Sequence, residues 1–407
     1  MRRGSNQLRL ADFNQAVVLD AVRRSDGVSR AELKRISGLS SQTISNITRR
    51  LIDDGLIRES TPAGGSRGRP SIPLAIDPDG AFSVGVHIDP ARLTTVLLDL
   101  DGYARAQRQQ RTPQATSPPE VTTLIAESVD EIVQETGVER RRILGLGIAA
   151  PGPLDVRAGT ILDPPQLPNW RNIALRSNLH HATDLPVLLD KDVTAATTAE
   201  LRSSSDASSD FVFLYLGSGV GASAVIDNHV LRGTTNNIGE VGDLIVDPEA
   251  EQLEWTGRRG GLAAACVPEA LAIQAAQLGL VPLPNLNDYL AIDDAFTALC
   301  DLAKRGNGGA ARVLERAARR VAVGLGVLIN LLDVPRAVLG GPLWSRMSDA
   351  FLPVLPDLVA RELVVSRGHV TVEGSSVGEH VAAQGAAELV MDHFLAPHAS
   401  ALMVGEA

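Results

Sequence analysis

The chain has 407 residues, 44% of them apolar, 21% charged and 3% aromatic, which predicts two or three folding units with aliphatic cores and excludes disorder as the main state. Its formal net charge of −10 is unevenly spread: residues 1–80 hold 13 basic and 9 acidic side chains (+4), and the remaining 327 hold 25 and 39 (−14). An acidic body repels nucleic acid, whereas a basic end contacts phosphates without the whole chain adhering to them.

Met1 to Gln7 is polar and basic, and no apolar segment with a cleavage site follows, so no secretory signal is expected. Residues 13–24 read as a helix with Val17, Val18, Ala21 and Val22 on one stripe. Ser29 opens a second helix, with Glu32 three residues later completing a capping box, and Gly38 ends it. Leu39 plugs the turn and Ser40 caps a third helix from Ser41 to about Asp53. A short helix, a glycine turn and a longer helix make a helix-turn-helix.

On the third helix Ile44, Ile47 and Leu51 face inward by their spacing, leaving Ser41, Gln42, Thr43, Ser45, Asn46 and Arg49 outward. Short polar side chains of this kind suit base edges, and Arg suits guanine or phosphate. A strand starts at Gly55-Leu56-Ile57 and its partner runs from Ser71 to Ile76. The Gly- and Pro-rich tip between them carries Arg67 and Arg69, which makes it a wing for an adjacent groove or backbone. A helical bundle with a solvated polar face is the bland alternative. The agreement of caps, turn, polar face, wing and local charge favours DNA binding.

From residue 81 the pattern changes to α/β. Residues 82–88 and 93–99 form a hairpin, with a third strand possible after Asp101-Gly102 and a helix at about 119–136. Strands follow at Ile143–Ile148 and Pro186–Leu189, the latter ending at Asp190-Lys191-Asp192 before an Ala/Thr-rich helix. A second set begins at Phe211–Leu216, turns through Gly217-Ser218-Gly219-Val220-Gly221 and returns along Ala222–Ile226. A long helix at about 310–333 then leads to the strand Ala337–Leu339 and Gly340-Gly341. Two similar halves with acidic groups at strand ends suggest two lobes around a cleft. The longest strongly apolar stretch, Val321–Leu332, is too short to span a bilayer. Cys266 and Cys300, with no CxxC spacing, exclude a disulfide scaffold or a cysteine-rich zinc site. A cytoplasmic protein with no membrane association is expected.

The segments 145–155 (Gly-Leu-Gly-Ile-Ala-Ala-Pro-Gly-Pro-Leu-Asp), 216–221 (Leu-Gly-Ser-Gly-Val-Gly) and 232–242 (Arg-Gly-Thr-Thr-Asn-Asn-Ile-Gly-Glu-Val-Gly) occur in that order. Together with Gly-Leu-Ser (38–40) and Gly-Arg-Pro (68–70), they resemble the ROK family of repressors, open reading frames and kinases, and specifically its transcriptional regulators. The resemblance covers nearly the whole chain. It implies a winged helix-turn-helix over residues 1–80 and a two-lobed actin/hexokinase-like (ribonuclease H-like) body over 81–407. Lobe 1 would take about 81–193 plus the C-terminal helix, and lobe 2 about 194–378, with a sugar site between them.

The departures from the family pattern are as informative. The family's kinases open with Asp-Ile-Gly-Gly-Thr-Lys, but here that place reads His87-Ile88-Asp89-Pro90-Ala91-Arg92, and Ala222 and Ser223 stand where the second loop usually has glycines. Asp89 repels phosphate and Pro90 removes a backbone donor, so no catalytic residue is assigned. Asp192 matches the family's catalytic base and is left either accepting from a sugar hydroxyl or capping a helix. Lys191 replaces an Asn that usually binds sugar; its charge suits an acidic ligand or a nearby carboxylate. In Gly239-Glu240-Val241-Gly242-Asp243 the sugar-contacting Glu240 survives and the usual His is Asp243. The following cysteine motif reads Glu254-Trp255-Thr256-Gly257-Arg258-Arg259-Gly260-Gly261-Leu262-Ala263, with all three thiolates gone, so neither a structural zinc nor a cofactor is expected. With Asn169 of the altered segment Pro165–Trp170, the implied ligand set is Asn169, Lys191, Asp192, Glu240 and Asp243.

The expected function is a sequence-specific transcriptional regulator, a repressor of carbohydrate-related genes. It binds a double-stranded DNA operator as a homodimer or homotetramer, and its catalytically inactive body senses a sugar or sugar derivative. A ligand-independent regulator, whose body serves dimerisation or partner binding, and a DNA-binding sugar kinase stay open as alternatives.

Overall fold

The structure is a computed structural model that describes residues 7–25, 27–60, 72–112, 117–167, 169–203, 210–250, 258–364 and 370–396. Three helices open it: α1 (Gln7–Arg23), α2 (Arg30–Ser37) and α3 (Ser41–Asp53). α1 starts six residues before the expected position 13, because Leu10 with Phe13 and Val17 continues the apolar three- and four-residue spacing. Ser29 Oγ accepts from Glu32 N–H and Ser40 Oγ from Thr43 N–H, both at 3.1 Å. Of the expected capping box only the serine half is formed; the Glu32 carboxylate instead takes Arg35 at 2.5 Å. Gly38 adopts φ 69° and so closes α2 with a left-handed cap, its N–H donating to Lys34 O.

β1 (Ile57–Glu59) pairs antiparallel with β2 (Leu74–Ile76), so the returning strand is shorter than the expected 71–76. The tip with Arg67 and Arg69 lies outside the described residues. Val18, Val22, Leu33, Ile44, Leu51 and Leu74 make the core of this winged helix, which extends to Ala81, Leu100 and Met391 of the body.

The first half of the body contains β3 (Phe82–Ile88), β4 (Arg92–Asp99), β5 (Ala104–Arg111), α4 (Pro118–Thr136), β6 (Ile143–Ala150), the short pair β7 (Leu154–Asp155) and β8 (Thr160–Ile161), α5 (Leu175–Thr183), β9 (Val187–Lys191) and α6 (Asp192–Ser203). The second contains β10 (Phe211–Leu216), β11 (Val220–Ile226), β12 (His229–Val230), α7 (Leu262–Cys266), α8 (Pro268–Gln277), α9 (Tyr289–Lys304), α10 (Gly308–Leu332), β13 (Arg336–Gly340), α11 (Trp344–Phe351), α12 (Leu355–Glu362) and β14 (Thr371–Gly374), and α13 (Val381–Leu395) ends the described chain. The sheets run β5-β4-β3-β6-β9 and β12-β11-β10-β13-β14. In each, an antiparallel three-strand meander is followed by two strands added in parallel, so one plan occurs twice.

Between the sheets lies a layer of small side chains on α6 and α13, where Ala195, Ala196, Ala199, Ala382 and Ala386 pack with Phe213 and Tyr215. The strands below are small too: a Cβ on Gly85 would stand 2.0 Å from Ala383 O, and one on Gly147 1.9 Å from Ala386 O. No helix among the described residues is long and apolar enough to cross a membrane.

Candidate functional site

In the winged helix, the outward set sits as its spacing requires. Ser41, Gln42, Asn46 and Arg49 are exposed, and Thr43 and Ser45 are half-buried. Gln42 Nε2 donates to Asn46 Oδ1 at 3.2 Å, one turn apart, so two groups suited to base edges support each other on one face. Inside the helix Ile44 and Leu51 are buried and Ile47 half-buried. Thr48, which the apolar spacing passes over, is buried and accepts from Arg30 Nε at 3.3 Å. Arg30 also binds Glu59 of β1 at 2.9 Å, which ties α2 and α3 to the wing strands.

In the body, the β3–β4 turn of one sheet meets the β10–β11 turn of the other. Ser218 Oγ donates to the Asp89 carboxylate at 2.9 and 3.0 Å, and Ala91 N–H donates to it at 2.9 Å. The family's kinases hold glycines in the first turn, and here a carboxylate occupies it. Behind it, Tyr215 and His87 share a hydrogen bond of 3.0 Å. Burial lowers the His87 pKa and raises the Tyr215 phenol well above its ordinary value, so this bond joins two neutral groups.

Beside this clasp lies a cavity of about 180 Å³. It is lined by Lys191, Asp192, Glu240 and Asp243, so four of the five expected ligand residues come together. β9 places Asp190 and Lys191 within the strand rather than after it, opposite Ala149 and Ala150 of β6. Lys191, its side chain 5% exposed, donates to Glu240 Oε1 at 2.6 Å and to Ile238 O at 3.0 Å. Its charge is thus used on a carboxylate of the cleft. Gly152 makes room for this pair: a Cβ there would meet Lys191 Cε at 3.1 Å and Glu240 Oε1 at 3.2 Å.

Asp192 is the first residue of α6 and accepts from Val193 N–H at 2.7 Å, so it both opens the helix and faces the cleft. Burial pushes its pKa up to about 7 against the pull of Lys191 and Val193 N–H, with Glu240 and Asp89 adding to the rise. Asp243 stands exposed at the rim.

Asn169 is the exception. It sits exposed on a left-handed turn with φ 77°, outside the cavity lining, while its neighbour Trp170 is buried. From the same segment it is Gln166 that reaches the cleft, where its Nε2 lies 2.9 Å from the position a Cβ would take on Gly219. The ligand set implied by the resemblance also omits Asn237. Its amide accepts from Leu154 N–H at 2.7 Å and donates to Leu154 O at 2.8 Å, clamping the loop after β6 to the segment that carries Glu240. The loop position of an amide within a glycine-framed motif was the available signal.

On the far side of the Asp89–Ser218 clasp a second cavity of about 300 Å³ opens. At its edge Asp293 accepts from Arg92 of the first half at 3.1 Å and from Arg346 at 2.7 Å. Cys266 and Cys300 are buried and unpaired with each other, and burial pushes both thiols up to about 12, which leaves them inert.

A family profile described as the ROK family matches residues 83–393, and one described as the MarR family matches residues 12–68. The xylose repressor of Bacillus subtilis (strain 168) is 24% identical over 398 residues, 96% of this chain and 98% of that protein. The DNA-binding transcriptional repressor Mlc of Escherichia coli (strain K12) is 25% identical over 384 residues, 93% of each chain. The crystal structure of a ROK family transcriptional regulator, a homologue of the E. coli Mlc protein, superposes with a TM-score of 0.76 at 24% identity, covering 95% of this chain and 98% of that one.

Proposed function

Because the chain belongs to the ROK family, we propose that it is a sequence-specific DNA-binding transcriptional regulator, a repressor of carbohydrate-related genes, whose body senses a small sugar or sugar derivative. The observation that carries this reading is the union, in one chain, of a winged helix with an exposed polar α3 and a cleft that gathers Lys191, Asp192, Glu240 and Asp243. Relatives of matching length are named as repressors, one of them a xylose repressor.

The body is read as non-catalytic. Phosphoryl transfer needs backbone and cations gathered around the transferred phosphate. Here the Asp89 carboxylate, held by Ser218, fills the first turn, and Pro90 next to it has no N–H to offer. The effector site consists of Lys191, Asp192, Glu240 and Asp243 with Gln166 as a fifth polar group. Three carboxylates, those of Asp89, Glu240 and Asp243, and the partly protonated Asp192 face one ammonium that is already paired. This balance favours an uncharged or amine-bearing sugar and disfavours sugar phosphates and sugar acids. Reading a two-fold symmetric operator requires paired heads, hence a homodimer or homotetramer.

The test is selection of duplexes from a random pool by the full chain, followed by measurement of affinity for the selected site with neutral sugars, amino sugars, sugar acids and sugar phosphates added one at a time. A selected consensus, with affinity altered by a neutral or amino sugar and restored to ligand-free behaviour in Glu240→Ala, is the expected result. A consensus indifferent to every sugar would favour the ligand-independent regulator. ATP-dependent turnover of a sugar, abolished by Asp192→Asn, would revive the kinase.

A further inference from the structure

α6 begins in the cleft and ends beside the winged helix. Its first residue is Asp192, and Arg202 in its last turn stands ten residues on, about 15 Å along the axis. Residues Val193 to Glu200 are buried along the whole stretch between. At its first turn, α6 touches α13 backbone to backbone: a Cβ on Gly385 would stand 1.7 Å from Ala195 O. Farther along, the buried Glu200 carboxylate accepts from Ser375 Oγ at 2.6 Å. A helix packed this closely moves as a rod rather than bending around its neighbours.

At the far end three elements meet through charge. Arg202 of α6 donates to Asp392 of α13 at 2.6 Å. Arg23, the last residue of α1, binds Glu388 of α13 at 2.8 Å and lies 3.8 Å from the same Asp392 oxygen. Glu388 is 4% exposed and Arg23 15%, so this pair is largely withdrawn from water. The buried Arg202 Nε has no hydrogen-bond partner among the described residues. Two arginines from different elements therefore share one carboxylate, a junction that a small shift of either helix redistributes.

We propose that α6 and the junction Arg202–Asp392–Arg23–Glu388 carry the state of the cleft to the winged helix. A change at Asp192 shifts α6 along α13; Arg202 then moves relative to Asp392, and Asp392 shares its charge differently with Arg23. Because Arg23 terminates α1, the orientation of the DNA-reading helices follows. This rests on the reading of the cleft as the effector site and names how that site acts. Coupling of this kind is reciprocal, so DNA binding reshapes the cleft to the same extent.

The test needs no effector. Asp192→Asn, Asp392→Asn and the double variant of the full chain are compared by hydrogen exchange of amides in residues 13–23. Residues more than about 10 Å apart with no shared partner normally act additively. The relay expects Asp192→Asn to change α1 exchange by about fivefold, the lower end of measured couplings, and expects that change to vanish in the Asp392→Asn background. Arg202→Ala should likewise abolish it, with Arg202→Lys restoring it. If Asp392→Asn fails to fold, the Arg202 pair supplies the cycle. An α1 that ignores Asp192→Asn, or answers it equally in both backgrounds, overturns the relay. An inert sugar panel would count against the effector reading and leave this cycle's result intact.

Discussion

Asp192 serves two purposes that pull its proton in opposite directions. As the first residue of α6 it accepts the Val193 N–H, which favours the carboxylate, while burial, aided by the negative charges of Glu240 and Asp89, favours the acid and prevails, raising its pKa to about 7. An unfolded Asp ionises near about 3.9. Between those two values the folded chain holds a proton that the unfolded chain has released. The associated stability is therefore fully present below about pH 4, is lost as pH rises to about 7, and is flat above it. Three units set a ceiling of about 4 kcal/mol, and partial contact with solvent brings the expected loss to about 2 kcal/mol. Urea melts of wild type and Asp192→Asn at about pH 5 and about pH 8 check this. Only the part of the fall above about pH 5 lies in this interval, so the wild type should lose about 1 kcal/mol more than the variant, whereas parallel losses would place an ionised carboxylate there at both values.

At the scale of elements, the contact of α13 with α6 inverts an ordinary rule. Alanine inside a helix is favoured over glycine by about 1 kcal/mol. Gly385 lies inside α13, yet its missing Cβ is what lets the helix rest on Ala195 O, where a Cβ would stand at 1.7 Å. Gly385→Ala should destabilise the chain by about 2–3 kcal/mol in a urea melt, since the helices must separate to admit the methyl. A gain in stability would mean that the layer gives easily and that α6 is no rod.

Much of this architecture was legible in the chain because its signals are local. The caps Ser29 and Ser40, the stop at Gly38 and the hairpin of β3 and β4 all lie within a few residues of what specifies them. The charge exchange of Glu32 with Arg35 was hidden because two partners at equal reach competed for one carboxylate. In the cleft, the family resemblance pointed to Lys191, Asp192, Glu240 and Asp243. It did not reveal that Lys191 is paired to Glu240, 49 residues away, nor that Gln166 rather than Asn169 faces inward. The choice between Gln166 and Asn169 turns on one left-handed residue, φ 77° at Asn169, which no periodicity encodes. Least visible was Arg23 with Glu388, 365 residues apart and brought together by folding alone.

For the whole molecule, the decisive feature is that the winged helix does not hang from the body on a tether. Its core passes without a break from Val18, Leu51 and Leu74 to Leu100 and Met391, the last on α13. Were the head independent, changes in the cleft would reach DNA only by altering the spacing of two loosely held heads. A shared core lets them alter the head's orientation directly, since α13 lies against both sheets' central layer and α1. Met391 is fully buried in that shared core, so Met391→Ala removes packing at the seam without touching a charge or the cleft. The expected cost is about 3 kcal/mol of overall stability. Because the lost contacts belong to the head, limited proteolysis should cut the variant within residues 13–80 well before the body is attacked. Unchanged resistance of the head, beside a lowered midpoint, would show that its core is closed on itself and that orientation is set by the Arg23 junction alone.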